Sequence, residues 1–210
     1  VDSLGTGDPL DLLGQEFLGT FALTPETFAG TPNVATSASF TISGALLIHD
    51  ETLDVQLTAH DRDNLDLPAV FQQAGLIGWA ESSDPIVTSA SVNYGSNGPG
   101  SVTYLLTTAA GGAFNGVNSG LQATATGNQI FLFTENGIVV AREGIGASAN
   151  PAGAIAFELY LDPATLKLSV AQYEAVQHGN AANPNDRIEL DDVVFVQQVV
   201  TDALGIVVTE

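Results

Sequence analysis

Apolar and polar residues alternate through "AIAFELYL" (154–161), with Ile155, Phe157, Leu159 and Leu161 on one face and Ala156, Glu158 and Tyr160 on the other. A period of two marks a half-buried β-strand. "DPAT" follows, with Pro163 suited to the first central position of a type I turn. Leu166, Leu168 and Val170 then resume the alternation, so the segment predicts a β-hairpin. "QIFLFTENGIVVA" (129–141) predicts a second one, because Asn136 and Gly137 supply the two positive-φ positions of a type I′ turn. Further strands are predicted at 38–48, 54–59, 86–94, 101–107, 193–200 and 205–209. Short strands at this spacing favour an all-β fold, an antiparallel β-sandwich, over a parallel α/β arrangement.

Helical signals are sparse, enough for one to three short turns. "LPAVFQQAG" (67–75) carries Pro68 in a first-turn position, Val70, Phe71 and Ala74 on one stripe, and Gly75 as a stop. Asp66 stands just ahead of it as a possible cap. "LTPETF" (23–28) and "AQYEAVQHG" (171–179) are the other two candidates. No internal repeat of fixed period stands out.

Composition adds a strong constraint. The 210 residues suit one module with a real core, and 45% of them are hydrophobic. Yet 24 Asp and Glu face only 4 Lys and Arg, a net charge of −20. Phosphate backbones and anionic lipid headgroups would repel such a chain, so neither nucleic acid nor a membrane surface is an expected partner. Divalent cations are. With no cysteine there is neither a disulfide framework nor a thiolate zinc site, which fits a secreted protein stapled by metal. The first residues lack the basic and continuous apolar stretches of a signal peptide, no apolar run is long enough to span a membrane, and methionine is absent. These features suggest a piece of something longer.

The acidic residues are clustered. "HDRDNLD" (60–66) brings Asp61, Asp63 and Asp66 within six positions, at a Coulombic cost of roughly 1 kcal/mol per close pair in water. Calcium would offset that cost with its 6–8 oxygen ligands, although the spacing is not that of an EF-hand. The alternative is a solvated turn in which Asp66 caps the next helix. Asp50 with Glu51 and Asp54, and Asp186 with Glu189, Asp191 and Asp192, lie likewise where predicted strands meet loops. Taken together these clusters predict at least one bound Ca2+. Catalytic signals are lacking: His49, His60 and His178 have no metal-ligand spacing, there is no GxSxG elbow, and "GSNGPGS" lacks the lysine of a phosphate loop. The chain is not expected to be an enzyme.

The runs "LPAVFQQAGLIGWAESSDPIVTSASVNYGSNGPGSVTYLL", "NGVNSGLQATATGNQIFLFTENGIVVAREG" and "AIAFELYLDPATLKLSVAQYEAVQHGNAANPNDRIEL" resemble the repeat-type domain of very large RTX-type adhesins, which Gram-negative bacteria export by type I secretion. The resemblance covers about residues 50–203. It implies a calcium-stabilised β-sandwich module of a secreted cell-surface protein, active in attachment or biofilm cohesion, whose partners are neighbouring modules of the same chain. Carried over by position, the family's acidic entry falls on Asp50 and Glu51, and its "NPDD" loop falls on "NPND" with Asp186. Where the family commonly continues with an acidic run after "VTD", this chain reads "TDALG", so the resemblance supports no calcium site beyond Asp202. Residues 1–49 are expected to supply N-terminal strands of the same sandwich. A second expectation is a ligand-binding module for glycans or peptides of a host or biofilm surface. Trp79, Tyr94, Tyr104, Tyr160 and Tyr173 would be its aromatic contacts, and their exposure separates the two readings.

Overall fold

A computed structural model describes residues 37–42, 62–177, 190 and 192–209. The expectations that fall on 23–28, 43–60, Asp61, His178 and Asp186 lie outside them.

Among the described residues, eleven strands form three antiparallel sheets. The largest contains β2 (Gly78–Glu81), β5 (Asn115–Gln122), β6 (Gln129–Glu135), β7 (Ile138–Glu143), β8 (Ile155–Leu161) and β9 (Leu168–Gln172), in the order β2-β9-β8-β7-β6-β5. A second, ordered β11-β10-β4, joins β4 (Ser101–Thr107), β10 (Phe195–Thr201) and β11 (Val207–Thr209). The remaining pair is β1 (Ser37–Ile42) with β3 (Val87–Asn93). The main core lies between the first two sheets. Ile130, Leu132, Val139, Ala141, Phe157, Leu159 and Val170 point from the large sheet toward Val194 and Val196, with Tyr104 and Leu106 of β4 packed against them. The fold is the expected all-β sandwich.

Both predicted hairpins are present. Glu135 pairs directly with Ile138 across a two-residue turn in which Asn136 and Gly137 have φ of 51° and 87°, as a type I′ turn requires. At the β8–β9 connection Leu161 pairs with Leu168. There the Asp162 carboxylate accepts from the Ala164 amide at 2.9 Å and the Thr165 hydroxyl at 2.8 Å, closing the loop from within.

Alternation understated the burial of the large sheet. Ile130 to Phe133 and Ile138 to Ala141 are buried at every position, because the face away from the main core is covered too. A second cluster there contains Phe71, Trp79, Ile138, Val140, Ala171 and Tyr173, flanked by Leu67, Leu76, Ile155 and Tyr160. Its cover is the segment 67–77, which crosses the sheet as a strap. Ile155 belongs to this outer cluster rather than to the face of Phe157. The register shifts between Ala141 and Arg142, so Ala141 opposes Phe157 while Arg142 opposes Ile155, and the extra residue, Ala156, forms a β-bulge. The Ala156 carbonyl then accepts from the amides of both Tyr173 and Glu174, at 2.8 and 3.1 Å.

The strap is not the expected helix. Phe71 N donates to Pro68 O and Leu76 N to Gln73 O, two separate turns rather than an i→i+4 ladder. Gln72 N, which a helix would direct to Pro68 O, donates to Glu158 Oε2 at 3.2 Å, and Gln72 O faces the Tyr173 hydroxyl at 2.9 Å. Tertiary partners have displaced the local ladder. Residues 171–177 are not helical either. Ala171 and Gln172 finish β9, after which Thr124 N donates to Ala175 O and Gln177 N to Gln122 O, tying the extended chain to the end of β5. The two helical turns among the described residues are 3-10 turns at Asn64–Asp66 and Gly95–Asn97. No helix among the described residues is long and apolar enough to cross a membrane.

Candidate functional site

The acidic turn is built from residues 62–66. Asp63 caps it: its Oδ1 accepts from Leu65 N at 2.9 Å, and its carbonyl accepts from Asp66 N at 2.8 Å. The cap therefore sits on Asp63 and serves this short turn, rather than on Asp66 ahead of a helix. The same Asp63 carbonyl accepts from Trp79 Nε1 at 2.9 Å, and Arg62 N donates to Trp79 O at 2.9 Å, so the turn is stapled to β2. Arg62 and Lys167 converge on one Glu81 oxygen at 2.8 and 3.4 Å. Asp63 and Asp66 thus share one exposed turn, which Asp66 closes with its amide while its carboxylate makes no hydrogen bond among the described residues. Asp50, Asp61 and Asp186 lie outside the described residues. Among the described residues no group of three metal-ligating side chains converges.

A buried carboxylate, missed from sequence, stands under the strap. Glu158 is 4% exposed, its Oε2 lying 2.6 Å from the Tyr173 hydroxyl and 3.2 Å from Gln72 N. Burial first, and then the hydrogen bond to Glu158 and its negative charge, push the Tyr173 hydroxyl far above its usual range, so it stays a donor at any physiological pH. Alternation had put Glu158 on a solvent face. The apolar residues at 67, 71 and 76 were the available sign that something covers it.

A third acidic centre ties the end of the chain to the 95–100 loop. Asp202 is buried, and its carboxylate accepts from Asn97 Nδ2 at 2.7 Å and from the amides of Leu204 and Ile206 at 2.9 Å each. These donors, Asn97 foremost, hold its pKa below the usual carboxylate value. Gly100 seals the contact: a Cβ there would stand 2.1 Å from the Thr201 carbonyl. Local hydrogen bonds to Ala164 and Thr165 depress Asp162 in the same direction, and a bond from Arg142 depresses Glu135. Each such carboxylate contributes stability above its unfolded pKa of about 4 that is lost as the pH falls through the folded value.

Glu174 works in the opposite direction. Burial, and secondarily the charge of Glu143, raise its pKa, and its Oε2 is buried without a hydrogen-bond partner among the described residues. Glu143 in turn accepts from the Thr126 hydroxyl. A raised carboxylate pKa favours the fold below the unfolded value, and this benefit disappears as the pH rises through the folded one. Glu174→Gln is therefore expected to raise the melting temperature at pH 7. The gain should vanish below about pH 4, where the wild-type carboxyl is protonated as well. Thermal melts at the two pH values check this, and an equal gain at both would show that packing rather than charge is responsible.

The polar aromatics are built into packing. Trp79 and Tyr173 are buried in the outer cluster; Tyr160 is half-buried there and meets Phe71 edge-on, with ring centroids 6.2 Å apart. Tyr104 packs on the main core, where it accepts from Gln198 Nε2 at 2.9 Å, and Tyr94 packs beside Val200.

Compared with known proteins, residues 46–205 match a family whose description is a domain of unknown function. No curated protein and no solved structure matches the chain.

Proposed function

The chain belongs to the DUF5801 family of domains of unknown function, and we propose that it serves as a calcium-stabilised structural module of a large secreted bacterial adhesin, contributing to surface attachment or biofilm formation. The observation that carries this reading is the pairing of charge. Arg62, Arg142 and Lys167 are the basic side chains among the described residues, and they are committed to Glu81 and Glu135. Asp63, Asp66, Asp84, Glu143, Glu174 and Asp192 are left with no cationic side chain among the described residues. At a net charge of −20, the neutralising partner has to come from solution, and a divalent cation suits clustered carboxylates best. Trp79 and Tyr173 are buried and Tyr94, Tyr104 and Tyr160 are half-buried in packing, which supports a spacer or scaffold role over ligand recognition. The implied partners are neighbouring modules of one long extracellular chain.

Calcium that binds the folded chain and not the unfolded one raises stability with its free concentration, so folding would follow the millimolar calcium outside a cell. The test is a thermal melt in EDTA and again in millimolar calcium, repeated on Asp61→Ala and Asp186→Ala. A rise of several degrees, reduced in one variant, supports the proposal and identifies the acidic cluster responsible. Identical melts in EDTA and calcium would overturn the metal half of it.

A further inference from the structure

Three asparagine–glycine pairs lie within the described residues, at 97–98, 115–116 and 136–137. Such a pair carries a latent reaction, because a glycine nitrogen can approach the preceding side-chain Cγ with no Cβ of its own in the way. The fold separates the three. Asn97 is held by its amide nitrogen, which donates to the buried Asp202 carboxylate at 2.7 Å. Turning its Cγ toward Gly98 would break a charge-assisted hydrogen bond. Asn115 pairs with Phe133 in the ladder, and Gly116 is wedged so closely that a Cβ would meet that of Ala149 at 3.0 Å. Asn136 and Gly137, by contrast, are exposed at the tip of the β6–β7 hairpin. Their neighbours Glu135 and Ile138 close the ladder beneath them, and a Cβ at Gly137, as at Gly98 but unlike at Gly116, would meet nothing within 4 Å.

We propose that Asn136 is a site of spontaneous deamidation and the first position at which this fold acquires isoaspartate. The deprotonated Gly137 nitrogen bonds to Asn136 Cγ, the Cγ–Nδ2 bond breaks, and ammonia leaves with a proton from water, giving a five-membered succinimide. Water then opens either carbonyl of the ring. Cleavage of the new Cγ–N bond gives aspartate, and cleavage of the original backbone C–N bond gives isoaspartate, whose main chain runs through the former side chain. No oxidant or reductant takes part. Isoaspartate adds a methylene group to a two-residue turn whose φ values of 51° and 87° suit an unmodified backbone. The Glu135–Ile138 closing pair loosens as a result, and a negative charge is added beside Glu135.

The test is incubation of the folded chain in warm, mildly alkaline buffer, followed by peptide mass spectrometry and enzymatic methyl labelling of isoaspartate. Position 136 is expected to convert roughly tenfold or more faster than position 97, the protection that one charged hydrogen bond confers, with position 115 between them. In strong urea the three rates should converge. Equal rates in the folded protein, or conversion first at 97 or 115, would overturn the proposal. So would an order that persists in urea, since the fold would then not be its source.

Discussion

Phe157→Ala is expected to lower stability by about 3–5 kcal/mol, enough to remove much of the margin of an ordinary domain. Phe157 is 2% exposed on β8, in the middle of the large sheet, where its ring meets the core shared with β4 and β10. It follows directly on the Ala156 bulge, which reverses the facing of the chain and fixes where that ring points. The cavity would therefore open where neighbouring backbone is constrained by two hydrogen bonds to one carbonyl, and collapse around it is limited. Chemical denaturation with the slope held constant measures the loss. A change below about 1 kcal/mol would show that the two sheets are not joined through this side chain.

Tyr173→Ala is expected to cost a similar amount, about 3–5 kcal/mol, but through the outer face. It removes the ring from the cluster around Trp79 and leaves the buried Glu158 without its closest donor. Tyr173→Phe isolates the second part: the ring stays, the hydroxyl goes, and the expected loss is about 1–3 kcal/mol for an unsatisfied buried group. Trp79 is the single tryptophan of the chain, so its fluorescence reports on this face directly. In Tyr173→Ala its emission should shift to the red while β-sheet circular dichroism is retained at low temperature, and amide exchange should accelerate in 67–77 before it does in β6 or β7. Simultaneous loss of both signals would mean that the strap and the sandwich unfold as one unit.

Strands whose neighbours lie close in sequence were the most legible. The β6–β7 and β8–β9 hairpins carry their turn chemistry on the surface of the sequence, in Asn136-Gly137 and in the Asp162 loop. β4 was read to its boundaries for a related reason, since Ser101 to Thr107 lies between a glycine loop and a polar turn. β5 was not read at all. Its residues, "NGVNSGLQ", are mostly polar, and register shifts between Asn115 and Val117 and between Asn118 and Gln122 destroy any period of two. The sign of that strand lay in its glycines, Gly116 and Gly120 at φ of 74° and 81°, which accommodate the irregular pairing. The 67–77 segment failed differently. Its helical pattern is real, but the Glu158 carboxylate, 86 residues further on, takes the Gln72 amide that the helix would need, and the Tyr173 hydroxyl, 101 residues further on, faces the Gln72 carbonyl.

The acidic turn was legible as a cluster and illegible as a device. Sequence placed Asp63 and Asp66 together, yet which of them would cap depended on Trp79, whose indole docks on the Asp63 carbonyl. Asp202 and Glu158 were hidden for the opposite reason. Each looked like ordinary surface charge, and each is made structural by a donor from a distant part of the chain, Asn97 for Asp202 and the Gln72 amide for Glu158.

The irregularity of β5 bears on how such domains behave when crowded. An edge strand with regular pairing offers a row of free amides and carbonyls on which a second molecule can template itself. Here one of the two edge strands of the large sheet, β5, is polar, and its register shifts between Asn115 and Val117 and again beyond Asn118. An incoming strand would lose register within a few residues. Along this edge, copies standing side by side at high local density have no regular ladder through which to fuse.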